Sequence, residues 1–185
     1  MTALFQDMVN TSFGTIVGRT LRGGVGEYLG IPYAEPPIGH LRFSPPFDWK
    51  RPYQDGIWSA DRARGFCVQP YDPYVRPYRW IGEEDCLYLN VWTPPRDTGA
   101  GTGRLPVLFF IHGGTLKTGS GDEYDGSQLA LKHGVVVVTT NYRLNDLGWA
   151  FVAPGHANLG LKDQRSAMRW VRSHLIVSCT TSAPR

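Results

Sequence analysis

The stretch "VLFFIHGGTLKTG", residues 107–119, joins an uninterrupted apolar run to a histidine and two glycines. Consecutive large apolar residues leave no side of a strand for water, so residues 107–111 are predicted to form a strand buried on both faces. The glycines that follow favour a sharp bend with exposed backbone N–H groups. Such amides can stabilise the charge on an attacked carbonyl oxygen, whereas the alternative is a tight turn without chemistry.

The apolar runs on either side of this stretch predict an α/β arrangement. Residues 135–143, "VVVVTTNYR", form a second buried strand, and the "DEYDGSQLALKHG" segment between the two strands predicts a short helix that ends before Gly134. Strand, helix and strand in this order favour a parallel pair with a crossover connection. Residues 12–34 hold short, glycine-separated runs typical of antiparallel strands, and the proline- and aromatic-rich residues 35–84 predict an ordered, irregular region.

Three further segments complete the predicted elements. Residues 86–94, "CLYLNVWTP", predict a strand, and residues 96–103, "RDTGAGTG", predict a flexible loop. Residues 159–175 predict a helix with apolar residues at spacings of seven, three and four. The residues expected in its buried stripe are Leu161, Met168, Val171 and Leu175.

Composition and charge exclude several classes of protein. The chain has 185 residues, of which 42% are hydrophobic, which is enough for one domain with its own core. Its 19 basic and 16 acidic residues are scattered without a basic stripe, so nucleic-acid binding is not expected. No apolar run approaches the roughly 20 residues of a membrane span, and the N-terminus shows no cleavable signal.

The cysteines and histidines do not predict a metal site. The three cysteines, Cys67, Cys86 and Cys179, match no zinc-binding spacing, and the five histidines do not bracket them. We therefore predict neither a metal nor a cofactor.

Six segments occur in an order that resembles the N-terminal end of type-B carboxylesterases, a group that includes cholinesterases, lipases and the non-enzymatic neuroligins. They are "GTIVGRTL", "YLGIPYAEPPIGHLRF", "EEDCLYLNVWTP", "VLFFIHGGTLKTGSGDEYDGSQLA", "VVVVTTNYRLNDLGW" and "NLGLKDQRSAMRWV". The resemblance covers about residues 12–172. It implies the N-terminal part of an α/β-hydrolase fold, with antiparallel strands leading into a mostly parallel mixed sheet flanked by helices. We expect a partial domain over residues 12–175 and a divergent tail over residues 176–185.

The resemblance also implies a Ser–Glu–His triad that acts on carboxylic esters, with oxyanion donors from the glycine loop. In this sequence the donors would be the amides of Gly114 and Thr115, with Gly113 forming the turn and His112 orienting the loop. Many enzymes of the group carry glycine or alanine where this chain has Thr115, and neuroligin-like members carry a hydroxyl residue. A β-branched residue resists the backbone angles that glycine accepts, so we expect a narrowed or misdirected hole.

The chain lacks the nucleophile elbow G-x-S-x-G, because no serine has glycine both two positions before and two positions after it. The match to the family ends at about Ser173, and the acidic and histidine triad members are absent as well. We therefore expect an N-terminal portion of a carboxylesterase-like protein that is inactive alone. The alternative is a fragment of a neuroligin-like adhesion protein. A small carboxylic ester would be the partner of the full-length relative, while the oligomeric state and the compartment stay open.

The resemblance pairs Cys67 with Cys86 in a disulfide and leaves Cys179 unpaired, whereas two free thiols in a cytosolic chain are the alternative. Trp80, within the loop closed by this disulfide, is a candidate aromatic residue of the ligand site, with surface packing as the alternative.

The resemblance further implies two buried ion pairs with a structural role, Arg42 with Glu84 and Arg143 with Asp163. In the family fold the nucleophile strand lies beside residues 105–111. Since that strand is absent from the sequence, we expect residues 105–111 to form an exposed, apolar sheet edge and the chain to be poorly soluble.

Overall fold

The N-terminal residues form an antiparallel meander. The computed structural model describes residues 6–95 and 105–178. Strand β1 (Gln6–Thr11) pairs with β2 (Gly14–Thr20), and β2 pairs with β3 (Gly26–Pro32). The antiparallel character predicted for residues 12–34 is confirmed, and β1 adds a strand before them.

The proline-rich region is ordered around short elements and one disulfide. Strand β4 (Ile57–Ser59) pairs in parallel with β2, and β5 (Gln69–Pro70) pairs with β6 (Trp80–Ile81) in a small antiparallel ribbon. The predicted disulfide is confirmed, because Cys67 and Cys86 are bonded across a sequence separation of 19. By the chain-entropy model, closing a loop of this length contributes about 3 kcal/mol. Cys179 lies outside the described residues.

The centre of the sheet connects this meander to a parallel pair. Strand β7 (Tyr88–Thr93) lies antiparallel between β3 and β9 (Val136–Thr140), and β8 (Val107–Ile111) pairs in parallel with β9. The sheet order is β1-β2-β3-β7-β9-β8 with β4 beside β2, so the described part is mostly antiparallel and has two parallel contacts, β2 with β4 and β8 with β9. The predicted loop over residues 96–103 falls outside the described residues.

Two predicted helices are confirmed, and the described residues contain a third, short helix that was not predicted. Helix α1 (Ser127–His133) joins β8 to β9 and ends at Gly134, whose φ of 63° is the left-handed conformation typical of a helix C-terminus. Helix α2 (Asn145–Trp149) leads into α3 (Leu159–Ser178), the longest helix of the described chain. The parallel pair with an intervening helix confirms the interpretation of the two apolar runs.

Helix α3 buries only part of the predicted stripe. Leu161 and Met168 are 47% and 41% exposed, so their predicted burial is wrong, while Val171 is buried and Leu175 packs half-buried against the core. The buried face also contains polar side chains with partners elsewhere in the chain, because Asp163 binds Arg143 and Ser166 donates to Asp48. The buried residues of this face include Leu159, Asp163, Ser166, Ala167, Trp170 and Val171.

The main core lies between the sheet and α3. Leu89, Val91 and Val138 of the central strands are fully buried, as are the rings of Tyr33 and Tyr142. This packing fixes the carboxyl ends of β8 and β9, where the loops with the predicted site residues begin.

Strand β8 forms one edge of the sheet. Within the described ranges it pairs only with β9, and Val107, Leu108 and Ile111 are about 40% exposed. The predicted burial of residues 107–111 on both faces is therefore wrong for this chain, because an apolar strand is buried only when a neighbour and a covering layer lie on each side. The expected exposed, apolar edge is confirmed.

A charge on this edge is expected to reduce self-association of the chain. Leu108→Lys places an ammonium group where a second β8 strand would pair, and lysine is a common device against edge-to-edge pairing. Sedimentation velocity should show more monomer for this variant than for the parent chain. Leu129→Lys on α1 is the matched control, since Leu129 is equally exposed at 43% and lies off the edge. An equal shift in both variants would contradict edge pairing.

Candidate functional site

The loop of residues 112–119 leaves the end of β8 through a backbone turn that requires glycine. Gly114 has a φ of 105°, and a Cβ at this position would lie 2.0 Å from the Thr118 carbonyl oxygen. The Gly114 carbonyl oxygen accepts hydrogen bonds from the amides of Lys117 and Thr118, each at 3.0 Å. A side chain at residue 114 would therefore force this turn open.

Two non-glycine residues after Gly114 also have left-handed backbone conformations. Thr115 has a φ of 55° and Leu116 a φ of 64°, and a β-branched residue in this region is a genuine outlier. Such a conformation raises the energy by about 1–2 kcal/mol per residue. The Thr115 hydroxyl, which donates to the Gly114 carbonyl oxygen at 2.8 Å, supports this conformation. So does the backbone N–H of Asn145, which donates to the Leu116 carbonyl oxygen at 2.9 Å.

The amides of this loop are unpaired on its exposed side. Among the described residues, the backbone N–H groups of Gly113, Gly114 and Thr115 donate to no protein acceptor, and all three residues are exposed. Backbone donors that are fixed in place and free of internal partners are what an oxyanion requires.

His112 anchors the start of the loop. Its ring is stacked on Tyr142 with centroids 4.4 Å apart, and Nδ1 lies 2.8 Å from the Gly113 carbonyl oxygen. Because a carbonyl oxygen only accepts, Nδ1 carries the proton. The Tyr142 hydroxyl donates to the His112 carbonyl oxygen at 2.9 Å, so this residue is held through both its ring and its backbone.

Burial lowers the pKa of His112 below its usual 6.5, because the charged imidazolium loses hydration, and the Gly113 carbonyl and nearby acids only partly offset this. The unfolded chain then binds more protons than the folded chain just below pH 6.5, so stability should fall as the pH drops through this range. An NMR titration of the ring carbons should give a His112 midpoint below that of an unfolded control peptide. A midpoint above the peptide's would contradict the neutral, buried ring.

Two amide side chains that the sequence analysis missed clamp the rest of the loop. Gln69 of β5 donates through Nε2 to the Gly119 carbonyl oxygen at 3.0 Å and accepts from the Gly119 amide at 2.8 Å. Asn145 donates through Nδ2 to the Lys117 carbonyl oxygen at 2.8 Å. In the sequence, only the polar side chain of Gln69, placed between Val68 and Pro70, marks this residue as unusual.

A cleft of about 480 Å³ lies in front of the loop. One wall comes from the loop itself and the other from the disulfide-closed segment, and the lining includes Phe66, Tyr71, Ile81, Gly113, Gly114 and Tyr124. Trp80 does not line it: its side chain is 53% exposed and its ring packs edge-on against Tyr78 at 5.6 Å. The structure thus brings the glycine loop to the disulfide-closed segment but leaves Trp80 outside their cleft.

The two predicted ion pairs form in very different surroundings. Arg143 binds Asp163 with N–O distances of 2.7 and 2.8 Å, and their side chains are 4% and 0% exposed. Arg42 binds Glu84 in the same two-bond geometry at 2.6 and 2.7 Å, yet these side chains are 47% and 26% exposed. The predicted burial of the second pair is wrong, because both partners belong to surface segments of the irregular region.

Comparison with known proteins places these features in a family. The family model described as the carboxylesterase family matches residues 6–177. This chain belongs to the carboxylesterase family. A solved structure of a PNB esterase has a TM-score of 0.80 at 39% identity, and the superposition covers 95% of this carboxylesterase-family chain and 36% of the other.

Curated relatives of this carboxylesterase-family chain include both esterases and a neuroligin-like protein. Para-nitrobenzyl esterase from Bacillus subtilis (strain 168) is 40% identical over 92% of this chain and 35% of the esterase. Carboxylesterase 3 from Homo sapiens is 39% identical over 92% of this chain and 32% of its own length. Neuroligin-like protein glit-1 from Caenorhabditis elegans is 40% identical over 82% of this chain and 21% of its own length. The chain thus spans between about a fifth and about a third of these relatives.

Two other kinds of feature are missing from the part of the chain that the structure describes. None of the helices there combines the length and the apolar character of a membrane span. No group of three or more His, Cys, Asp or Glu side chains there is placed to hold a metal ion.

Proposed function

We propose that the loop of residues 112–119 and its cleft form the oxyanion-binding part of a carboxylic ester hydrolase site. The observation that carries this proposal is the set of three unpaired amides, at Gly113, Gly114 and Thr115, in a loop whose Gly113 and Gly114 line the cleft. Membership of the carboxylesterase family and 40% identity to a para-nitrobenzyl esterase support ester substrates.

The chemistry follows from the charge that develops during ester cleavage. When a nucleophile attacks an ester carbonyl, the oxygen becomes an anion, and fixed amides at this point stabilise it without reorganisation. Phe66, Tyr71 and Tyr124 give the cleft an aromatic wall suited to an apolar acyl or alcohol group.

The attacking serine of the family mechanism has no counterpart in this sequence, since no G-x-S-x-G occurs. We therefore propose that the 185-residue chain does not turn over esters alone by that mechanism. A nucleophile elbow and its acid and base must be joined to this loop before the cleft becomes a working site.

A second candidate function is binding without catalysis, as in a neuroligin-like protein. Thr115 favours it, because a β-branched residue in a left-handed conformation is a poor choice for an optimised oxyanion donor. The similarity to neuroligin-like protein glit-1 points the same way.

A chimera distinguishes the two functions. Residues 6–177 replace the matching N-terminal third of the Bacillus subtilis para-nitrobenzyl esterase, and hydrolysis of p-nitrophenyl acetate is followed at 400 nm. We expect saturable turnover at least about 100-fold faster than that of the chain alone, because the esterase portion supplies the activated serine and the general base that the free chain lacks. The same chimera with alanine at its elbow serine is the control. A folded, soluble chimera without activity would favour the binding protein.

A further inference from the structure

A serine and a histidine lie side by side at the far end of the sheet from the glycine loop. Ser12, in the turn between β1 and β2, has its Oγ 3.3 Å from Nε2 of His174 on α3. Strand β1 is first in the sheet order, whereas β8, which leads into the glycine loop, is last. Neither residue lines the cleft in front of the glycine loop, so this pair is a separate feature.

His174 is fixed in one tautomer and one orientation. Nδ1 lies 2.8 Å from the Trp170 carbonyl oxygen, and because that oxygen only accepts, Nδ1 carries the proton and Nε2 offers its lone pair to the Ser12 hydroxyl. The imidazole is stacked on Trp170 at 4.7 Å and contacts the Phe13 ring at 5.0 Å. A hydroxyl, a base and an acceptor that orients the base are the three roles of an activated serine.

An apolar cavity of about 50 Å³ lies against the His174 side of this pair. His174 lies in its wall together with Thr11, the neighbour of Ser12, and the remaining wall includes Ile16, Ile31, Val91 and Trp170. A cavity of about 150 Å³ admits benzene, so a cavity one third as large has room for an acetyl chain and excludes long acyl chains.

The backbone of Ser12 supplies a donor at the same place. Within the described ranges, the Ser12 N–H donates to no protein acceptor, and the residue is exposed. The amide of the nucleophile itself is one of the oxyanion donors in serine proteases.

We propose that Ser12 and His174 form a second, slow acyl-transfer site for esters with short acyl chains. Ser12 Oγ bonds to the acyl carbon while its proton moves to His174 Nε2; the bond from that carbon to the alcohol oxygen breaks, and the proton passes to the departing oxygen. Water then attacks the acyl-serine, gives a proton to Nε2, and releases the carboxylic acid as the proton returns to Oγ. The balance is one ester and one water for one acid and one alcohol.

Acylation of the full 185-residue chain tests this site. The chain is incubated with p-nitrophenyl acetate or p-nitrophenyl octanoate, and the acyl group is located by peptide mass spectrometry. We expect acetyl on Ser12, a burst of p-nitrophenolate equal to the chain concentration, and acetylation at least tenfold faster than octanoylation.

Three variants separate a dyad from an accidental surface label. Ser12→Ala should lose the burst, and His174→Asn should slow acetylation about 100-fold, since asparagine still donates to Trp170 but lacks the base. Ser173→Ala, at an exposed serine next to His174, should behave as the parent chain. Circular dichroism checks that each variant is folded.

Acetyl spread over lysines, an unchanged burst in folded Ser12→Ala, or equal rates for both acyl chains would overturn the dyad. None of these outcomes bears on the function proposed for the cleft beside the glycine loop, because the chimera, and not the free chain, tests that function. Conversely, an inactive chimera would leave acetylation of Ser12 in the free chain as expected.

Discussion

Replacing Asp163 with asparagine is expected to destabilise the fold by about 3–5 kcal/mol, because it leaves the Arg143 guanidinium buried without a counter-charge. Arg143 is 4% exposed and Asp163 fully buried, so water cannot take over the lost interaction. Asparagine keeps the size of the side chain, which makes charge the main change. Since a domain of this size is stable by about 5–15 kcal/mol in all, urea unfolding should show a large decrease in the midpoint or no folded state.

Glu84→Gln is the matched control for this prediction. The Arg42–Glu84 pair has the same two hydrogen bonds, at 2.6 and 2.7 Å, but its side chains are 47% and 26% exposed to solvent. Water and salt replace an exposed partner readily, so the urea midpoint of Glu84→Gln should lie within experimental error of the parent. Equal losses in the two variants would show that geometry, and not burial, decides the contribution of these pairs.

The sequence predicted those parts of the fold that depend on neighbours in the chain. The runs at residues 107–111 and 136–140 pair in parallel as their continuous apolar character indicates, and Gly134 ends α1 as expected. The face of α3 was predicted only in part: Val171 is buried as expected, but burial of Ser166 depends on its partner Asp48, which lies 118 residues away in the chain. Burial of β8 likewise depends on neighbours that no local pattern reveals.

For the candidate site, too, the sequence predicted the features that depend on neighbouring residues and missed those that depend on distant ones. The glycine turn and its exposed amides follow from a short local motif, and His112 was placed at its start. Gln69 was not identified, since its partner Gly119 is 50 residues away and the contact exists only after the disulfide-closed segment folds back. Trp80 was proposed for the ligand site from its place in the chain, but its side chain lies outside the cleft.

Gly114→Ala is expected to lower kcat of the chimera about 100- to 1000-fold, the loss that follows removal of one oxyanion donor. A methyl group here would lie 2.0 Å from the Thr118 carbonyl oxygen, and the φ of 105° is one that alanine does not adopt. The turn must therefore rearrange and carry the amides of Gly114 and Thr115 out of position. Steady-state hydrolysis of p-nitrophenyl acetate measures the loss.

Gly155→Ala separates this effect from general backbone strain. Gly155 has a φ of 81°, but a Cβ on this residue would have no heavy atom within 4 Å, so alanine there introduces left-handed strain without a collision. Its kcat should stay within twofold of the parent chimera even if its melting temperature falls. If Gly114→Ala kept full kcat with an unchanged melting temperature, the turn would tolerate the methyl group, and the amides beside the cleft would have no part in stabilising the developing charge.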